Sequence, residues 1–102
     1  SRANIFFVKG GTLLTPALAI RCLKGVTREV VLKLARSSAL RVRSSRVGLH
    51  HVLGADEAFF TNSFLGVMPL VKLNGQPISD GQAGPVTEKL LHDYQKLTRK
   101  RK

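Results

Sequence analysis

The sequence predicts a mixed fold of helices and strands, either an α+β domain or a barrel-like α/β unit. Short apolar segments bounded by glycine, proline and asparagine are typical of strands, while two longer segments carry apolar residues at helical spacing. These elements follow one another without the regular alternation of a doubly wound sheet. A chain of 102 residues has the length of a single domain with a modest core.

The N-terminal segment predicts a β-hairpin. Residues 4–8 form a β segment that is apolar from residue 5 to residue 8. A Gly-Gly turn signal follows at residues 9–11, and residues 12–15 return as a second strand that ends at Pro16. We expect residues 17–24 to form a linking loop.

A helix is predicted over residues 27–39. Thr27 suits the capping position, and Glu29 lies in the first turn, where a carboxylate is favourable. The apolar face of this helix comprises Val30, Val31, Leu34 and Ala35.

Three further strands or helices are predicted in the middle of the chain. A positively charged strand covers residues 40–47, a short helix covers 49–53, and a buried strand covers 58–61. The next strand, over residues 66–73, contains Pro69, which places it at a sheet edge or a bulge.

The last part predicts a second hairpin and a C-terminal helix. Asn74-Gly75 is a strong turn signal, with a short return strand over residues 77–80. Pro85 is favoured at the first position of the helix. We divide the chain into a domain over residues 1–97 and a basic, flexible tail over 98–102. The apolar face of the predicted C-terminal helix comprises Val86, Leu90, Leu91, Tyr94 and Leu97.

The net charge of +11 comes from 17 lysines and arginines against 6 acidic residues, which is compatible with a small nucleic-acid-binding module. However, the charges gather in the tail and around Arg41 and Arg43, whose alternation with Val42 indicates a solvated strand face. We therefore favour a solvated surface and keep nucleic acid as the alternative partner.

The remaining composition excludes several classes of protein. No apolar run reaches the length of a membrane span. Cys22 is the only cysteine, so the chain has no internal disulfide, and with no paired histidine spacing a metal site is not expected. A single thiol fits a reducing compartment, and we expect a cytoplasmic protein.

Two short loops carry the strongest functional signal. Residues 24–28 (Lys-Gly-Val-Thr-Arg) open the first helix, and a helix start presents free N–H groups to an anion. Residues 61–63 (Thr-Asn-Ser) follow a strand and add hydroxyl and amide donors. If the loops meet, they form a cup for a phosphate group. Each loop alone is a weak signal, because a Gly-x-Thr sequence before a helix is more often an ordinary helix cap.

Other polar motifs favour structural roles. We interpret His50 and His51 as surface or helix-terminal groups, not catalytic ones. Asp56 and Glu57 are adjacent at a strand entry and point to opposite faces, so capping and solvation are favoured over acid–base catalysis. The aromatic core candidates are Phe6, Phe7, Phe59 and Phe60.

Six motifs between residues 1 and 91 form a specific set. They are Asn4-Ile5-Phe6-Phe7-Val8-Lys9-Gly10-Gly11 with Leu14-Thr15-Pro16, Gly25-Val26-Thr27-Arg28, Ala55-Asp56-Glu57-Ala58-Phe59-Phe60-Thr61-Asn62-Ser63, Val67-Met68-Pro69-Leu70, Asn74-Gly75 and Gly84-Pro85-Val86-Thr87. Together they resemble the fold-type-IV pyridoxal phosphate (PLP) enzymes, which form the class IV aminotransferase superfamily.

The resemblance implies that the chain is the latter part of a barrel-like C-terminal PLP-binding domain. The family's Schiff-base lysine, and the glutamate that pairs with the pyridine nitrogen, would lie upstream of Ser1. This chain would then supply no catalytic residue by itself. We expect it to be a piece of a longer protein, with its own N-terminal part as a partner, in a homodimer that acts on a small amino substrate.

The resemblance also implies which residues hold the cofactor. The N–H groups of Val26 and Thr27, at the turn made by Gly25, would bind the PLP phosphate together with the Thr27 hydroxyl. Ser63 would add a second hydroxyl, and Leu23 would pack on one face of the pyridine ring.

The substrate-binding residues implied by the resemblance differ from those typical of aminotransferases. By resemblance, Asn62 and the Phe64 backbone lie where the substrate carboxylate is held, and Arg2 lies beside the ring, where it could meet an acidic substrate. Aminotransferases of this family continue the loop with small or polar residues and then Glu-Ile-Thr-Pro, whereas residues 62–69 read Asn-Ser-Phe-Leu-Gly-Val-Met-Pro and resemble the aminodeoxychorismate lyases more closely. Residues 64–66 (Phe-Leu-Gly) stand where the aminotransferases have the compact polar turn. We interpret them as an apolar wall with an opening at Gly66. This favours an aminodeoxychorismate lyase, which releases pyruvate and 4-aminobenzoate on the folate route, over the alternative of a branched-chain or D-amino acid aminotransferase.

Overall fold

The computed structural model describes residues 4–16, 26–45, 48–62 and 66–99. Within these ranges the elements are β1 (Asn4–Lys9), β2 (Thr12–Pro16), α1 (Val26–Ser37), β3 (Arg41–Ser45), α2 (Leu49–Leu53), β4 (Glu57–Asn62), β5 (Gly66–Pro69), β6 (Lys72–Leu73), β7 (Gln76–Pro77) and α3 (Pro85–Arg99).

Five strands form one sheet in the order β3-β2-β1-β4-β5. Strands β2 and β3 are parallel, and the other neighbours are antiparallel. Strands β6 and β7 pair separately as a short hairpin. The predicted mixed α/β class is confirmed. The predicted barrel-like closure does not occur among the described strands. Closure requires the two edge strands to pair, and β3 and β5 lie at opposite edges of the sheet without pairing.

One face of the sheet packs against α1 and α3. Phe6 of β1 lies opposite Phe59 of β4, and the two rings stack with centroids 5.0 Å apart and planes inclined by 11°. Val31 of α1 and Leu90 of α3, both fully buried, belong to the same cluster. These phenylalanines are therefore core residues, as predicted.

The other face of the sheet is covered by α2 and by residues around the β6–β7 hairpin. Because successive strand residues point to opposite faces, Phe7 turns away from Phe6. Phe7 forms a second buried cluster with Val52 of α2 and Ile78, which follows β7. Strands β1 and β4 are thus covered on both faces, which explains the apolar runs at residues 5–8 and 58–60 within them.

Both predicted hairpin turns are confirmed. Gly10 and Gly11 have φ angles of 56° and 78°, and Asn74 and Gly75 have φ angles of 52° and 79°. Positive φ at both central residues is typical of the type I′ turn, whose twist matches that of the paired strands.

The edge strands also agree with their sequence patterns. Arg41 and Arg43 on β3 are exposed while Val42 packs against the core, which confirms a solvated strand face. Charged side chains on an edge strand discourage pairing with another chain. Pro69 ends β5 at the opposite edge, so the predicted strand over residues 66–73 is two strands, β5 and β6.

Helix boundaries differ by one or two residues from the sequence prediction. Helix α1 begins at Val26, so Thr27 lies inside the first turn and not at the cap before it. Helix α3 begins at Pro85, as predicted, and continues to Arg99, so it includes the first two residues of the tail predicted over 98–102. Within the described ranges, no helix is both long and apolar enough to cross a membrane.

The buried carboxylate of Glu57 fixes the start of α3. Its Oε2 accepts the N–H of Val86 at 3.1 Å, and its Oε1 accepts the N–H of Thr87 at 2.7 Å. A helix start leaves these groups without an internal acceptor, and a negative charge is favourable there. Gly84 leaves the space that the Glu57 side chain fills. The predicted capping role of Glu57 is therefore confirmed.

We expect Glu57→Gln to lower the free energy of unfolding by about 1–3 kcal/mol. The amide of glutamine has only one acceptor oxygen, so one of the two N–H groups of α3 loses its hydrogen bond. The matched control is Glu88→Gln, which changes an exposed carboxylate in the same first turn of α3. Urea denaturation of both variants measures the difference. Equal losses would show that the two hydrogen bonds of Glu57 do not determine the stability of α3.

Candidate functional site

The first turn of α1 is one side of the candidate site. The helix begins at Val26, and the first four N–H groups of an α-helix have no acceptor within it. Thr27 is 5% exposed and faces α3, where its Oγ1 lies 3.3 Å from the hydroxyl oxygen of Tyr94. Either hydroxyl can donate in this pair. The Thr27 hydroxyl is thus held in place at a positive helix end.

The acidic side chain in the first turn of α1 is paired with a basic one. Arg28 is 4% exposed, and its Nη1 donates to Glu29 Oε2 at 2.9 Å. The partnered carboxylate of Glu29 is neutralised by the adjacent guanidinium, so the first turn carries no net acidic charge that would repel an anion. The sequence does not predict that Arg28 is buried, because an arginine in the first turn of a helix is usually exposed.

The end of β4 forms the other side of the site. Asn62 is the last residue of β4 and pairs with Gly66, the first residue of β5. Gly66 has φ of 76°, and a Cβ placed on it would lie 2.7 Å from Cε2 of Tyr94. Gly66 is therefore a glycine for two reasons, its backbone conformation and the close approach of the tyrosine ring.

This geometry corrects the interpretation of Gly66 as an opening for a flat substrate ring. The space in front of its Cα is occupied by the Tyr94 side chain. The opening is one of the two sequence arguments for the lyase, beside the resemblance of residues 62–69, and the packing removes this one.

Tyr94 is a residue of the candidate site that the sequence pattern does not identify as such. Its place in the apolar stripe of α3 agrees with its packing against the core that includes Leu90. Its hydroxyl, however, reaches Thr27, while its ring lies against Gly66. One side chain therefore touches both the first turn of α1 and the start of β5. The tyrosine itself is the signal in the sequence, because a half-buried tyrosine hydroxyl normally finds a hydrogen-bond partner.

The donor set around this region fits a phosphate group. It combines the N–H groups of a helix start with the Thr27 hydroxyl. Thr61, one residue before Asn62, lies on the α1–α3 face, and its buried Oγ1 has no hydrogen-bond partner among the described residues. These groups are donors suited to an anion with many acceptor oxygens.

The structure describes only part of the predicted site. Thr27, Asn62 and the backbone of Val26 are described, and Tyr94 lies between α1 and β5 as set out above. The remaining predicted site residues lie outside the described residues: Arg2, Leu23, Gly25, Ser63 and Phe64.

The alternative catalytic candidates have structural partners. His51 Nδ1 accepts the N–H of Gly48 at 3.0 Å, which is a helix-terminal hydrogen bond as predicted. Asp56 is exposed and accepts the N–H of Gly10 at 3.0 Å. In the part of the chain that the structure describes, three or more histidine, cysteine or acidic side chains do not group in a way that could hold a metal ion.

Residues 1–73 match the family model described as amino-transferase class IV. The chain therefore belongs to the class IV aminotransferase family.

Individual relatives agree with this assignment. The chain is 40% identical over 94 residues to the branched-chain-amino-acid aminotransferase of Pseudomonas aeruginosa, covering 92% of the chain and 30% of the relative. It is 33% identical over 94 residues to the D-alanine aminotransferase of Listeria monocytogenes, covering 92% and 32%. It superposes with a TM-score of 0.92 and 30% identity on the T.th. branched-chain amino acid aminotransferase with pyridoxamine 5'-phosphate, covering 98% and 32%.

The chain spans about a third of the length of these relatives.

We expect Gly66→Ala to lower the free energy of unfolding by about 2–4 kcal/mol, because it combines a left-handed residue with overpacking against Tyr94. Gly75→Ala is the matched control, since Gly75 has φ of 79° but no atom within 4 Å of its Cβ position. Only the backbone cost of about 1–2 kcal/mol should remain in the control. Thermal denaturation measures both variants. Equal losses of stability in Gly66→Ala and Gly75→Ala would contradict the packing of Tyr94 on Gly66.

Proposed function

We propose that this chain is the phosphate-binding part of the PLP site of an aminotransferase. The observation that carries the proposal is the first turn of α1, where free helix N–H groups lie beside a Thr27 hydroxyl held by Tyr94. Family membership and the pyridoxamine 5'-phosphate in the structure of the T.th. relative support the same cofactor.

The residues that would hold the phosphate follow from the chemistry of the helix start. The N–H groups of Val26 and Thr27, at the turn of Gly25, donate along the axis of a positive helix end. By the resemblance to the family, the Thr27 and Ser63 hydroxyls would supply two further donors, and Leu23 would cover one face of the pyridine ring. When bound, PLP supplies an electron sink for bonds broken at the substrate α-carbon.

The substrate residues of the proposal are Arg2, Asn62 and Phe64. Asn62 ends β4 one residue before the proposed phosphate donor Ser63, so substrate and phosphate contacts would come from one strand end. The Schiff-base lysine and the ring-nitrogen partner would come from the N-terminal part of the protein, and the complete unit would be a homodimer. The span of about a third of each relative supports this division.

Transfer of an amino group is the reaction we propose, in preference to elimination of pyruvate. The curated relatives described above are named as aminotransferases of branched-chain amino acids or of D-alanine. The packing of Tyr94 on Gly66 also removes the opening that argued for a lyase. Branched-chain amino acids are the favoured substrates, and D-amino acids are the second candidate.

The proposed reaction is tested with the full-length protein that carries this chain. We expect glutamate to form from 2-oxoglutarate with L-leucine, L-isoleucine or L-valine as donor, more rapidly than with D-alanine as donor. Aminodeoxychorismate supplied in parallel should release little pyruvate. Pyruvate release without glutamate formation would replace the aminotransferase by the lyase and leave the family assignment intact.

The phosphate cup is tested by removing its two hydroxyls. We expect Thr27→Val combined with Ser63→Ala to weaken PLP binding, because each lost hydrogen bond to a charged group costs about 1.5–3 kcal/mol. Thr98→Val is a matched control, since the Thr98 hydroxyl donates to backbone carbonyls of its own helix. Equilibrium dialysis measures PLP binding. Retention of PLP by the double variant as tight as in the control would reject the assignment.

A further inference from the structure

We infer that Tyr94 is a positioning residue for the cofactor phosphate. Its hydroxyl donates to Thr27 Oγ1 and thereby directs the Thr27 hydroxyl hydrogen toward the phosphate. The inference rests on the proposed role of Thr27 as a phosphate donor, and it adds a residue from α3 that does not itself touch the cofactor.

The polarity of the hydroxyl pair follows from what a phosphate can accept. The two oxygens are 3.3 Å apart, and each hydroxyl has one hydrogen to donate. A phosphate dianion offers only acceptors, so Thr27 must donate its hydrogen to the phosphate, and it can then only accept from Tyr94. In this partly buried setting the two bonds polarise each other, which strengthens the bond to the anion.

The tyrosine ring is held where this role requires it. Its edge lies against Gly66, at a distance that no side chain on that residue would permit. Its other contacts are with the buried cluster under α1 and α3. The hydroxyl is thus placed by packing, and little entropy is lost when the hydrogen bond to Thr27 forms.

A purely structural role makes a different prediction. If the Tyr94–Thr27 bond only joins α3 to α1, its loss would weaken binding of every ligand equally or lower only the stability. A positioning role acts on the phosphate alone. The two roles are therefore separated by a pair of ligands that differ only in the phosphate group.

The experiment measures binding of pyridoxamine 5'-phosphate and of pyridoxamine to the full-length apoprotein by titration calorimetry. We expect Tyr94→Phe to weaken binding of the phosphorylated ligand by about three- to tenfold and to leave pyridoxamine unchanged. Thr98→Val, which removes a hydroxyl one turn further along α3, should change neither. The melting temperature of each apo variant reports stability separately.

A double-mutant cycle with Thr27 sharpens the test. In the Thr27→Val background no hydroxyl remains to be directed, so adding Tyr94→Phe should weaken phosphate binding no further. In the Thr27→Ser background, which restores the hydroxyl, the effect of Tyr94→Phe should return. These two results together would identify Thr27 as the route through which Tyr94 acts.

Two outcomes would overturn the inference. One is an equal loss for both ligands in Tyr94→Phe, and the other is a loss that persists unchanged in the Thr27→Val background. If Thr27→Val itself leaves the preference for the phosphorylated ligand intact, the proposed function of the α1 helix start fails first, and the role of Tyr94 fails with it.

Discussion

The contact between the Glu57 carboxylate and the first N–H groups of α3 determines where that helix lies. Glu57 begins β4, so the sheet itself carries the anion that the helix start requires. Because α3 begins at this point, its next turns carry Leu90 into the core and Tyr94 toward the far end of β4. A buried carboxylate without those two donors would be costly, so the sheet and the helix are mutually dependent.

From that anchor the site is assembled at the opposite end of the same strand. β4 begins at the capping carboxylate and ends at Asn62, whose neighbour across the pair is Gly66. Tyr94 spans the gap between this strand end and the first turn of α1. The stacked pair of Phe6 and Phe59 fills the interior between the anchor and the site, so the two ends of β4 are joined by close-packed side chains.

The sequence predicted best what is decided locally. The Asn74-Gly75 turn, the proline start of α3 and the alternation around Val42 each depend on the conformational preferences of a few neighbouring residues. The capping role of Glu57 was predicted, but its target helix was not, since its partners lie 29 and 30 positions away. The Thr27–Tyr94 contact joins residues 67 positions apart, and no periodicity encodes a pairing of that kind. The lyase interpretation rests on the local sequence of residues 62–69, including an opening at Gly66, whereas this glycine accommodates a tyrosine ring from α3.

The same reasoning explains why motifs of this chain identify a family more sharply than a reaction. Every member of a PLP-dependent family must hold the same phosphate, so the proposed phosphate site at Val26 and Thr27 would meet the same chemical demand whichever bond of the substrate is broken. Discrimination between substrates instead comes from side chains that contact the substrate in the transition state. In the proposed site those are Arg2, Asn62 and Phe64, together with groups from the proposed N-terminal part of the protein. Under the proposed function, the first turn of α1 would anchor the phosphate, and the choice between a branched-chain amino acid and a cyclic substrate would be made at the opposite end of the cofactor.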